Sequence, residues 1–262
     1  MQVSSEHNSL ERPATEPRKP MIPWNSAYGV IFILIIFFGS QVLAGLLLSL
    51  YPLARHWSSS VASQWLTNSV FAQFLFILIA ESIVLVSIYL WLRHYKVGFS
   101  TIGLKKPRWL DVGYGLIAVP VYYGLSLAAL VAVKKVIPSF NTNETQQVGF
   151  SHVHGSLALT LTFISLAILP PITEEIMVRG FLYGSLKKAL PILWSAVITS
   201  VLFAGAHLGE GTNGLLWTAG VSFFILSVVL IYLREKTGSL WASILVHGIN
   251  NTVAFIGLYL VH

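Results

Sequence analysis

The sequence predicts an all-α protein, a polytopic transmembrane helical bundle, and three observations carry that reading. Of 262 residues, 55% are hydrophobic and only 10% are Asp, Glu, Lys or Arg. The apolar residues fall in long runs of membrane-spanning length, and short basic loops separate the runs. So few charges cannot keep a soluble chain of this size dispersed, whereas a helix needs about 20 apolar residues to cross a bilayer.

Residues 1–26 are polar and carry Pro13, Pro17, Pro20 and Pro23. They read as a flexible cytoplasmic tail, without the basic, apolar and small-residue regions of a signal peptide. Residues 27–262 read as the integral membrane domain, with its candidate functional core at 157–262. Tyr28 to Leu50 is an uncharged first span, and Val70 to Leu92 holds the single charge of Glu81. Val112 to Val133 offers Gly113, Gly115 and Gly124 as points of close packing. Leu157 to Leu169 is too short to span alone and runs through Pro170-Pro171 into Ile172 to Leu190. This predicts one long proline-broken helix. Ile192 to His207, Leu215 to Leu233 and Leu240 to Val261 complete about seven spans, or eight if residues 157–190 form two.

Seven spans with the N-terminus in the cytoplasm put thirteen of the sixteen Lys and Arg residues on the inner side, leaving Arg55, Lys134 and Lys135 outside. The positive-inside rule therefore favours an external C-terminus. The net charge of +6 is distributed as a topology signal facing anionic lipid, and nucleic acid is not an expected partner. With no cysteine, thiolate nucleophiles, disulfides and cysteine metal sites are excluded. Trp24, Trp57, Trp65, Trp91, Trp109 and Trp241 lie near span ends, as an aromatic belt requires.

Ionisable side chains are penalised inside a bilayer, so those present mark function. They are Glu81, Glu174, Glu175, Arg179, His207 and His247. Thr173 is a candidate N-cap for a helix that starts after the prolines and places both glutamates in its first turn. Glu175 and Arg179, four apart, are spaced for an ion pair. Glu174 is turned about 100° away and is left to act as a base. His207 ends an apolar run behind Ala204, Gly205 and Ala206, small residues that admit another backbone. If residues 172–190 and 192–207 form a hairpin, Glu174 and His207 fall at similar depth. His247 and Asn251 share a face of the final span and could together hold an oxyanion.

The order Glu174-Glu175-x-x-x-Arg179, Phe203-x-x-x-His207, His247-x-x-x-Asn251 resembles the CPBP family, the CAAX prenyl proteases and bacteriocin-processing Abi-type proteins that include the Ras-converting CAAX endopeptidases. Upstream, Ile102-Gly103-Leu104 is a looser likeness. The resemblance implies an intramembrane endopeptidase of a bacterial inner membrane, acting on a membrane-anchored peptide or protein, prenylated CAAX tails among the compatible substrates. Glu174 would activate water with help from His207. His247 and Asn251 would polarise the scissile carbonyl, and Glu175 with Arg179 would position the catalytic helix.

No metal or other cofactor is expected; the alternative is zinc, since two histidines and a carboxylate can hold that ion. The His-Glu-x-x-His helix that usually delivers such a set is absent. His152-Val153-His154 reads as an exposed loop. Helix rise puts His247 about 15 Å and His207 about 24 Å from the cytoplasmic turns. That predicts residues 181–190 projecting into the cytosol beside a water-filled cavity. Two other classes compete: a non-enzymatic protein of bacteriocin immunity or scaffolding, and a secondary transporter, against which the lack of a repeat speaks.

Overall fold

The computed structural model describes residues 22–142, 144, 149–150, 153–209 and 215–261. Helix α1 covers Ser26–Ala54, α2 Ser59–Asn68, α3 Val70–His94 and α4 Trp109–Val136. A broken helix, α5, runs over Ser156–Ala189, followed by α6 at Ile192–Ala206, α7 at Trp217–Thr237 and α8 at Trp241–Tyr259. No strand occurs among the described residues. The chain is a multi-pass integral membrane protein. Six of these helices are long and apolar enough to cross a bilayer, and α6 is apolar but short. Residues 157–190 make one continuous helical path, which settles the choice between one kinked element and two in favour of one. Most of residues 1–26, His152 and the 210–214 stretch lie outside the described residues.

Local chemistry sets the helix ends. Asn25 caps α1 by accepting from the Ala27 amide at 2.9 Å, and Ser69 caps α3 through the Ala72 amide at 3.2 Å. Ser58 does the same for α2, a ten-residue helix in a segment that carried no helical signal of spanning length. Asp111 at the start of α4 accepts from the Arg108 amide and guanidinium, both at 2.9 Å, and Arg108 donates onward to the Thr237 carbonyl at 2.8 Å. The start of α4 is thereby tied to the end of α7. Gly238, at φ 64°, terminates α7 in the left-handed conformation that glycine accepts without strain.

Of the three glycines expected to pack closely in α4, one does. A β-carbon at Gly115 would lie 2.8 Å from Leu245 Cδ2 and 3.4 Å from the Ala242 carbonyl, whereas Gly113 and Gly124 face open space. The aromatic belt also needs correction. Trp24 is buried, stacked on Phe181 at 4.6 Å, and donates from Nε1 to Ser185 Oγ at 2.9 Å. Ile22 is buried as well, so the polar N-terminal segment joins the bundle before residue 26. Trp91 stacks on Phe32 at 4.2 Å. Both indoles anchor core rather than an interface.

The Thr173 cap is not formed, and the reason is in the backbone. Helical structure continues through Pro170-Pro171 by widening into π-helical turns at Ile164–Ile168 and Glu175–Leu182. Glu174 and Glu175 consequently sit in mid-helix, and the helix dipole has no part in placing them.

Candidate active site

Helices α5 and α8 bring most of the sequence-selected groups together, and His207 stands at the end of α6. Glu175 on α5 is fully buried, and its Oε1 accepts from Arg179 NH1 at 2.8 Å and from His247 Nδ1 at 3.0 Å. The expected Glu175–Arg179 pair is therefore formed, and the glutamate also fixes the ring of His247 on α8. Nδ1 must carry a proton to donate to the carboxylate, which makes Nε2 the ring atom left for chemistry. That Nε2 lies 3.9 Å from Glu174 Oε2. The two neighbouring glutamates thus flank one imidazole, Glu175 at one nitrogen and Glu174 at the other. At 3.9 Å a direct hydrogen bond is too long, and the gap suits a shared water.

Arg179 is fully buried, and its guanidinium carbon lies 4.0 Å from the centre of the Phe203 ring. The aromatic face covers a cation that would otherwise meet apolar surroundings. Phe203 also touches both histidines. Its ring centre is 4.7 Å from that of His207 and 5.8 Å from that of His247. The Phe203-x-x-x-His207 spacing has a backbone meaning too. The His207 amide bonds to Ala204 O at 3.1 Å, leaving the Phe203 carbonyl at the end of α6 open. His207 Nδ1 donates to that carbonyl at 2.8 Å. The imidazole is sandwiched by Phe223, whose ring centre is 3.9 Å away. Gly205 faces open space, so no other backbone packs against it.

Asn251 stands one turn beyond His247 on α8, with its Nδ2 donating to the Leu166 carbonyl at 2.9 Å. This carbonyl is orphaned by the double proline. Its α-helical partner would be the amide of residue 170 and its π-helical partner that of residue 171, and neither proline has one. Asn251 therefore repairs the helix break. Its Oδ1 accepts from Asn250 Nδ2 at 3.2 Å. The second N–H of the Asn251 amide remains for other work. At Gly248 a β-carbon would reach the Ala167 carbonyl at 3.7 Å, which shows how closely α8 approaches the break.

Glu81, set aside on sequence, turns its carboxyl toward Thr173 and lies within electrostatic reach of Glu174. The lone acid in the second span was its signal. Phe223 gave none, because an aromatic residue in an apolar run is unremarkable. His154 is exposed, in keeping with a loop. Among the described residues, no three His, Cys, Asp or Glu side chains form a group able to hold a metal ion.

Residues 156–253 match the family described as type II CAAX prenyl endopeptidase Rce1-like. This segment is similar to the Rce1-like family. The match covers Glu174, Glu175, Arg179, His207, His247 and Asn251, and at the family level it supports a CAAX-type membrane protease. The UPF0177 protein YxdF of Lactococcus lactis subsp. lactis is 28% identical over 63% of this chain and 85% of its own length. An uncharacterized protein, YyaK, of Bacillus subtilis is 32% identical over 56% of this chain and 47% of its own length. No solved structure matches the chain.

A cavity of about 440 Å³ lies near the candidate site, lined by Lys105, Lys187, Lys188 and Arg234 among others. Of the candidate residues, Arg179 alone reaches its wall; Glu174, His207 and His247 do not. This cavity lies toward the basic end of the bundle. Phe181, Leu182 and Tyr183 are buried, with α1 packed along this stretch, so residues 181–183 do not stand free of the bundle.

Proposed function

We propose that this chain is an intramembrane endopeptidase that hydrolyses a peptide bond of a membrane-associated substrate, of the prenylated CAAX type, with water activated by Glu174. The observation that carries the reading is the placement of His247 between two adjacent carboxylates, one buried and bonded, the other 3.9 Å from Nε2. A water can lie about 2.8 Å from both Glu174 and Nε2. Glu174 takes its proton as the water oxygen attacks the scissile carbonyl carbon. His247 Nε2, when the ring carries its second proton, donates to the developing oxyanion, and the second Asn251 N–H can join it. The C–N bond then breaks as Glu174 returns the proton to the leaving amine. His207 orients the same water. Glu175 and Arg179 hold the ring and the helix in place.

With the short α6 counted as a seventh span, the proposed topology has the N-terminus in the cytoplasm of a bacterial inner membrane and the C-terminus outside. It rests on the distribution of basic residues. No metal takes part in this mechanism. Purified protein in detergent should cleave a prenylated CAAX peptide at equal rates with and without chelator. Loss of cleavage on chelation, restored by added zinc, would replace the glutamate mechanism with a metal-dependent one. Failure to cleave this peptide or a pool of membrane-anchored peptides would favour an immunity or scaffolding role.

A further inference from the structure

The basic cavity has a composition that the peptidase reading does not use. Five cationic side chains line it, Lys105, Arg179, Lys187, Lys188 and Arg234, against the single carboxylate of Glu235. Three of the five are committed: Arg179 to Glu175 at 2.8 Å, Lys187 to Glu235, and Lys188 to the Trp24 carbonyl at 2.6 Å. Lys105 has no carboxylate partner among the described residues, and Arg234 shares Glu235 with Lys187. Arg234 Nε is buried and makes no hydrogen bond among the described residues. The Arg234 guanidinium packs on Gly103, where any β-carbon would collide with it, so the glycine keeps room for the side chain. Lys105 Nζ is 3.4 Å from the position a β-carbon would take at Gly238. Ser100 and Thr101 add hydroxyls to the wall, and Gly180 and Gly184 leave the α5 side bare.

We propose that this cavity binds a phosphate group, presented by an anionic lipid headgroup or as a soluble phosphate. Guanidinium and ammonium donors around a partly open pocket pair with phosphate oxygens through charge-assisted hydrogen bonds. Basic pockets between helices at the cytoplasmic side of a membrane protein suit headgroups of this kind. A substrate peptide is a poorer occupant, because none of Glu174, His207 and His247 reaches the wall. The site is distinct from the peptidase centre and does not depend on that assignment. It touches the centre only through Arg179, so occupancy would stiffen the helix that carries Glu175.

The test is thermal unfolding of the full chain in neutral detergent, titrated separately with phosphatidylglycerol, phosphatidylcholine and inorganic phosphate at constant ionic strength. Wild type is compared with Arg234→Gln, Lys105→Gln and, as a nearby control, Lys236→Gln. Lys105 and Lys236 are exposed, so their variants should fold even if Arg234→Gln does not. The wild-type melting temperature should rise saturably with phosphatidylglycerol and stay flat with phosphatidylcholine. The apparent dissociation constant should increase about tenfold for Arg234→Gln and about threefold for Lys105→Gln, with Lys236→Gln unchanged. A parallel shift with inorganic phosphate that competes with the lipid would identify the soluble form as a ligand. A shift with lipid alone would identify the headgroup. Equal titrations in wild type and the Lys105 variant, an equal loss in the Lys236 control, or no wild-type response to either anion would overturn the proposal.

Discussion

The two halves of the bundle bury different chemistry. From α1 to α4 the buried polar side chains are Ser40, Asp111 and Ser126. From α5 to α8 they are thirteen among the described residues, and they include Glu175, Arg179 and His247. Proline has different consequences in the two halves as well. Pro120 leaves α4 a continuous α-helix, while Pro170-Pro171 widens α5 into π turns and draws a side-chain cap from α8. Every buried polar group costs desolvation, and a bilayer offers no water to offset it. The first half therefore resembles a lipid-facing frame, and the second concentrates that cost where a reaction needs it.

The contrast can be broken by substitution. The largest effect should come from Arg179→Met, which leaves Glu175 and His247 without their buried cation. About 3–5 kcal/mol of stability should be lost, read by denaturant titration in detergent. Loss below 1 kcal/mol would mean that the triad is not the linchpin of the second half. Next comes Asn251→Ala, which reopens the Leu166 carbonyl. A cost of about 1–3 kcal/mol is expected, together with slower cleavage. If cleavage falls while the melting temperature holds, the asparagine acts on substrate and not on the helix break. Ser243→Ala removes a 2.9 Å bond to the Leu230 carbonyl and should cost about 1 kcal/mol. Phe38→Leu, on the outer face of α1, should change stability by less than about 0.5 kcal/mol. A larger change there would erase the distinction between the halves.

The sequence made the helices and the chemistry legible through different signals. Apolar runs located every spanning helix, because length and charge depletion are averaged over twenty residues. The ionisable residues stood out for the same reason, and Glu175 met Arg179 as their spacing required. The Thr173 cap failed because a proline is read locally as a helix stop. Here a residue 85 positions away supplies the missing donor and lets the helix continue. Trp24 failed similarly: position near a span end suggests an interface, and contacts with Phe181 and Ser185 on α5 and with Trp91 on α3 make it core. Glu81 was visible as an anomaly, but its neighbour could not be named from one span. Long-range pairing is what these misreadings share.

The central claim is that Glu174 activates the water, and Glu174→Gln tests it most directly. The substitution keeps the shape and removes the base. With the variant's melting temperature within a few degrees of wild type, cleavage of a prenylated CAAX peptide should fall by about 10²–10⁴-fold. Cleavage within about threefold of wild type would contradict the account and move the catalytic role away from this glutamate.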